Sequence, residues 1–167
     1  MTTANALSID MTMPLEIADL YEQHYAVVYR TALRITGNEA DAEDALQTVF
    51  MRVLNRTEPL TPDFLEAYFR RAAANAALDL LRRRVSHKEM QINEAALNVP
   101  IKNTVFLKAR LRQALATLEH DDAVAFSLRY IEGLSNGELA ELYGQDKNNI
   151  AVRLHRIRQT LKNEMER

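Results

Sequence analysis

The 167-residue chain has no cysteine. That excludes disulfides and thiolate-ligated metal or redox sites, and it is compatible with a reducing compartment. Its histidines (His24, His87, His120 and His155) are scattered, and none belongs to a His-Glu-x-x-His or Glu-x-x-His pair, so no metal centre is expected. Neither a glycine-rich phosphate loop nor a nucleophile elbow is present. Acidic neighbours such as Glu43-Asp44 and Asp121-Asp122 point apart on a helix, which suits solvation better than acid/base work. No catalytic residue and no cofactor is therefore assigned. No apolar run approaches the roughly 20 residues of a membrane span. Residues 1–13 lack a basic segment followed by an apolar core, so they read as a flexible leader and not a secretory signal.

Glycine and proline are scarce, four of each, and every one falls at a plausible element boundary. Alternating strand patterns are missing, and the periodicity is helical throughout, so the expected class is all-α. Pro14 opens a first helix with Ile17, Leu20, Tyr21, Val28, Ala32 and Ile35 on one face. Gly37 ends it in a left-handed cap, and Asn38 caps a second helix bearing Ala42, Ala45, Leu46, Val49, Phe50 and Val53. Thr61-Pro62 predicts a third helix from Asp63 towards Arg84, with Leu65, Tyr68, Phe69, Ala72, Ala76 and Leu80 inward. Across 85–103 the pattern weakens, apart from a possible short helix at 89–97. Leu107, Leu111, Ala114, Leu115 and Leu118 then begin a second helical unit. The expected organisation is a leader (1–13), a helical domain (14–85), a linker (86–103) and a second helical domain (104–167), each domain with its own core. Extended at about 3.3 Å per residue, residues 85–103 could span roughly 60 Å.

The strongest local pattern lies near the C-terminus. Ser135 and Glu138 stand three apart, as a capping box requires, Leu139 and Leu142 form an apolar face, and Gly144 allows a sharp turn. Ile150, Leu154, Ile157, Leu161 and Met165 then trace one buried stripe of a long helix. Arg153, Arg156, Arg158 and Lys162 fall off that stripe. This is the pattern of a helix-turn-helix whose second helix enters a major groove, the alternative being a helical hairpin with a solvated basic face.

Charge is unevenly spread behind a net of −2. Residues 1–60 carry 4 basic and 9 acidic side chains, whereas 101–167 carry 11 and 9. Basic residues concentrate between Arg70 and Lys88 and between Lys147 and Lys162. Two basic surfaces on an acidic chain suit directed contacts with a polyanion and a separate partner for the acidic part.

Together these segments resemble the extracytoplasmic-function class of bacterial sigma factors, over almost the whole chain. Asp41-Ala42-Glu43-Asp44-Ala45-Leu46-Gln47-Thr48-Val49-Phe50 is similar to the helix with which the family grips the largest subunit of RNA polymerase. Tyr68-Phe69-Arg70-Arg71 and the run through Asn75, Asp79 and Arg82-Arg83-Arg84 resemble its minus-ten helix, and residues 134–161 resemble its minus-thirty-five helix-turn-helix. The resemblance implies core RNA polymerase and promoter DNA as partners, with an anti-sigma factor as controlling partner and no membrane insertion. It assigns Asp41, Asp44 and Gln47 to polymerase and Asn75, Asp79, Arg82 and Arg83 to the minus-ten element. Ser135, Lys147, Asn148, Asn149, Arg153 and Arg156 fall to the minus-thirty-five element, and loop 55–63 to capture of an unstacked base. At the start of the recognition helix the family usually has a small residue, then threonine, valine and lysine; here stand Asn148, Asn149, Ile150 and Ala151. Two rival expectations remain: an autonomous helix-turn-helix regulator that binds duplex DNA as a dimer, and a helical adaptor that binds only protein.

Overall fold

A computed structural model describes residues 12–58, 60, 64–89 and 104–167. Among them are seven α-helices and no strand: α1 (Thr12–Thr36), α2 (Glu39–Leu54), α3 (Leu65–Glu89), α4 (Thr104–Thr117), α5 (His120–Phe126), α6 (Asn136–Tyr143) and α7 (Lys147–Glu166). A π-helical turn, Ser127–Ile131, continues α5.

The punctuation works as local chemistry dictates. Gly37 closes α1 at φ 64°, and the Asn38 side chain accepts from the Asp41 amide at 2.9 Å to start α2. The helix α3 begins at Leu65, two residues later than expected; Thr61, Pro62 and Asp63 lie outside the described residues. Phe64 precedes it at φ 72°, an unusual conformation for an aromatic residue. The same helix continues to Glu89, through the expected start of the linker; the remainder of the linker, and with it most of the possible helix at 89–97, lies outside the described residues.

The central helix departs from its expected single stripe. Phe69, Ala73, Ala76 and Ala77 form one buried face, where Phe69 stacks on Phe50 of α2 at 5.4 Å and on His24 of α1 at 4.4 Å. Ala74, Leu78 and Leu81 form a second buried face on the same helix. The reason is the position of α3: it packs against α1 and α2 and also against α4, α5, α6 and the π turn. Two separate cores were expected, but the buried apolar side chains form one continuous cluster. The alanines of α3 let helices approach from both sides. His24, wedged on Phe69 with its Nε2 buried and without a hydrogen-bond partner among the described residues, has its pKa lowered by burial, with the charge of Glu66 opposing.

The C-terminal stripe is as read. Ile150, Leu154, Ile157 and Leu161 are buried and Met165 packs at the edge. Leu107 is the exception, 41% exposed on the first turn of α4.

Candidate nucleic-acid and polymerase interfaces

The helix-turn-helix is built by three caps. The Ser135 hydroxyl accepts from the Glu138 amide at 3.1 Å, while the Glu138 carboxylate accepts from the Ser135 amide at 2.7 Å. These hydrogen bonds hold the Glu138 carboxyl below its ordinary pKa. At the other end Gly144 adopts φ 60°, and amides of Gly144 and Gln145 return to the carbonyls of Glu141 and Ala140, a Schellman turn. Asp146 then caps α7 by accepting from the Asn148 amide at 2.7 Å. The aspartate's capping role went unread in the sequence, although Asp before a periodic run is a standard start signal.

These caps leave the first turn of α7 bare. Lys147, Asn148 and Asn149 are exposed, as are Val152, His155 and Arg156 one and two turns on. Asn149, Val152 and Arg156 recur at spacings of three and four and share the outward face. Val152 is 71% exposed and was missed in the sequence reading; its place off the buried stripe was the available signal. Two of the expected contact residues serve the protein's own structure. The Ser135 hydroxyl is taken by the capping box. Arg153 is bound to Asp122 at 2.8 Å and lies over the Tyr143 ring at 5.3 Å.

In α2, Asp44 and Gln47 are exposed, three residues apart beside the buried Ala45, Val49 and Phe50. Asp41 differs from them: it is paired with Arg84 of α3 at 2.7 Å, and its side chain is only 14% exposed. An exposed apolar margin of Tyr21, Tyr25, Met51 and Leu54 lies on α1 and α2.

The α3 residues are disposed otherwise. Asn75 Oδ1 lies 2.9 Å from His120 Nε2, Asp79 stands 3.7 Å from His120 Nδ1 and 3.9 Å from Arg52, and Arg82 donates to the Leu118 carbonyl. Only Arg83 of the four is exposed. Further contacts join the same two parts of the chain. Arg71 donates to the Leu142 carbonyl at 3.3 Å and lies 4.5 Å over Tyr143, whose pKa burial raises while Arg71 and Arg153 pull it back. Arg112 of α4 donates to the Ile35 carbonyl at 2.9 Å, its guanidinium against Gly37. Glu132, just past the π turn, has a fully buried side chain. Its carboxylate accepts from Thr31 at 2.7 Å, from Arg34 at 3.2 Å and from Arg70 at 2.6 Å. Burial alone would lower the Arg70 pKa, but its hydrogen bond to Glu66 and the charges of Glu132 and Glu66 outweigh that and raise it. A cleft of about 290 Å³ separates Phe64, Ala67 and Arg70 from Leu134, Glu138 and Leu142.

Among the described residues there is no cluster able to hold a metal ion and no helix long and apolar enough to cross a membrane.

Comparison with known proteins agrees with this geometry. Residues 20–86 match the family model "Sigma-70 region 2" and residues 108–161 match "Sigma-70, region 4". The RNA polymerase sigma factor CarQ of Myxococcus xanthus is 34% identical over 145 residues, covering 83% of this chain and 82% of CarQ. The ECF RNA polymerase sigma factor SigE of Mycolicibacterium smegmatis is 34% identical over 152 residues, 86% of this chain, which spans only 59% of the length of SigE. SigL of Mycobacterium tuberculosis is 29% identical, with 81% of each chain covered. In fold, the chain is similar to the sigma factor RpoE from Bartonella quintana, solved in complex with the anti-sigma factor NepR. The TM-score is 0.52 at 19% identity, covering 90% of this chain and 97% of RpoE. Both region models in order, on an all-helical scaffold that ends in a capped helix-turn-helix, establish that this chain belongs to the extracytoplasmic-function sigma factors of the sigma-70 family.

Proposed function

We propose that the protein is a promoter-specificity subunit that binds core RNA polymerase and directs transcription initiation, in the bacterial cytoplasm and without catalytic activity of its own. Residues 14–85, together with the extension of α3 to Glu89, form the unit that meets polymerase and the minus-ten element, and residues 104–167 form the unit that meets the minus-thirty-five element. Asp44 and Gln47 carry the polymerase contact. Asp41 supports it by fixing α2 to α3 through Arg84. Asn75 and Asp79, with Arg82 and Arg83 on phosphate, meet the melted strand, where base extrusion costs a few kcal/mol that pocket contacts must offset.

At the other element, Asn148 and Asn149 read base edges, each able to pair bidentately with adenine, while Val152 is placed for a thymine methyl. Lys147 and Arg156 hold phosphate, Ser135 positions α6, and Arg153 acts from inside by fixing α7 to α5. The controlling partner is an anti-sigma factor that masks both units.

The observation that carries this reading is the coexistence on one chain of an exposed acidic helix face at Asp44 and Gln47 and a helix-turn-helix with a bare leading turn. An autonomous regulator accounts for the second feature alone, and a protein-binding adaptor leaves the bare basic turn without a use. The test is Asp44→Ala with Gln47→Ala. Both side chains are exposed, so folding stability should change by less than about 0.5 kcal/mol. Affinity for core polymerase in a pull-down titration should fall at least about tenfold, near 1.4 kcal/mol, and transcription from a supercoiled genomic library should fall with it. Unchanged polymerase affinity in the double variant would remove α2 from the interface.

A further inference from the structure

The cleft between the start of α3 and α6 is lined by residues that none of the assigned surfaces uses. Ala67, Leu134 and Leu142 supply aliphatic lining, and Phe64, just before α3, adds an aromatic ring. The volume, about 290 Å³, falls at the lower end of the range for small-molecule sites, roughly 300–1,000 Å³. Phe64 holds φ 72°, a costly backbone conformation for a bulky side chain, and the residue is 61% exposed, so burial of the ring does little to offset that cost.

The charge around this lining has one effective sign. Glu66, Glu138 and Glu141 stand against a single arginine, Arg70. That guanidinium is already held by Glu66 at 2.5 Å and by Glu132 at 2.6 Å, which leaves it little attraction for an anion. The Glu138 carboxylate accepts from the Ser135 amide, which holds its pKa below the ordinary value and keeps it ionised at neutral pH. Glu141 is exposed, and its carboxylate has no partner among the described residues. These carboxylates do not form a cluster able to hold a metal ion. An aromatic face, aliphatic neighbours and carboxylates in excess are instead the chemistry that recognises an organic cation. Ring quadrupole and carboxylates attract the charge, while the apolar lining takes the body.

We propose that this cleft binds a small organic cation of the arylalkylamine class. The ammonium group is attracted by the Phe64 ring and the Glu138 and Glu141 carboxylates, and the aryl body lies against Ala67, Leu134 and Leu142. The site draws on neither Asp44 and Gln47 nor the leading turn of α7. It therefore goes beyond the sigma reading and stands or falls without it.

The test titrates the full-length, isotopically labelled protein with phenethylamine, 2-phenylethanol and phenylacetate, read by backbone amide chemical shifts. The three probes share a benzene ring and a short arm and differ in charge: positive, neutral and negative. Phenethylamine should give saturable shifts centred on Ala67, Glu138 and Leu142, with a Kd of about 1 mM, fitting for so small a probe. 2-Phenylethanol should bind at least about threefold more weakly, the scale of an exposed cation–π contact, and phenylacetate more weakly still. Phe64→Leu keeps the apolar volume and removes the ring face. It should weaken the amine about threefold and leave 2-phenylethanol nearly unchanged. Glu141→Gln, on the opposite wall, should weaken the amine in the same selective way. Both positions are exposed, so helicity and folding stability should stay near wild type. Saturable binding that ranks the three probes equally overturns the proposal, as does the absence of saturable shifts at these residues. So does amine binding that neither variant weakens.

Discussion

The two surfaces assigned to promoter DNA differ in their freedom. The leading turn of α7 is bare: Lys147, Asn148 and Asn149 point to solvent, and the polar work of the turn is done by Ser135, Glu138, Gly144 and Asp146 around them. Along α3, by contrast, Asn75, Asp79 and Arg82 are engaged by His120, Arg52 and Leu118 of the same chain. Duplex can be met by a surface that stays ready. A melted strand exists only after polymerase has opened the DNA, so a surface built for it loses little by being covered until then. The contrast arises largely from the placement of α3 between both halves, whereas α7 offers the rest of the molecule only its inner stripe and Arg153 beside it.

The largest expected effect bears on whether the halves share one core. Phe69 is fully buried and touches His24, Phe50 and Tyr68. Phe69→Ala should cost about 3–5 kcal/mol. Urea unfolding followed by helicity should remain a single transition, shifted as a whole. A separate, unshifted transition for α4 to α7 would break the picture of α3 as a shared support. Next comes the bare surface. Asn149→Ala should relax base preference at one minus-thirty-five position by roughly 1–3 kcal/mol, measured by transcription from a randomised element. A uniform loss over all sequences would mean that Asn149 holds phosphate.

The smallest effects separate two arginines three residues apart. Arg156 is exposed and Arg153 is tied to Asp122 and Tyr143. Arg156→Ala should lower the slope of log affinity against log salt by about one. Arg153→Ala should leave that slope in place and cost about 1 kcal/mol of stability, the scale of a partly exposed ion pair with a cation–π contact. Salt titrations of promoter binding alongside denaturant unfolding distinguish them, and a slope change in Arg153→Ala would return that residue to the DNA surface.

Legibility in the sequence depends on the range of the interactions involved. The Gly37, Asn38, Ser135, Glu138 and Gly144 caps are contacts within a few residues, and all were legible. The stripes of α2 and α7 were legible too, because each helix buries one face. The second face of α3 was not: Ala74, Leu78 and Leu81 blur the periodicity that a half-buried helix shows, and small alanines such as Ala73 and Ala77 give a weak signal of burial. Glu132 was invisible for a similar reason. A glutamate beside Gly133 reads as a solvated turn residue, and only the fold brings Thr31, Arg34 and Arg70 to it. The same limitation hid the partner of Arg153, a basic residue off the apolar stripe whose acidic neighbour Asp122 stands 31 positions away.

The turn between α1 and α2 has a consequence for which substitutions this protein can accept. Gly37 sits at φ 64°, where asparagine is ordinarily the next best tenant. Here the Arg112 guanidinium occupies the volume that any β-carbon at position 37 would need. A single methyl group at this turn would act as a wedge, driving Arg112 off the Ile35 carbonyl while leaving the interior of either half untouched. Tolerance at a surface loop of one half is thus policed by the other half. A collection of random variants should therefore show position 37 to be less tolerant than its own turn requires.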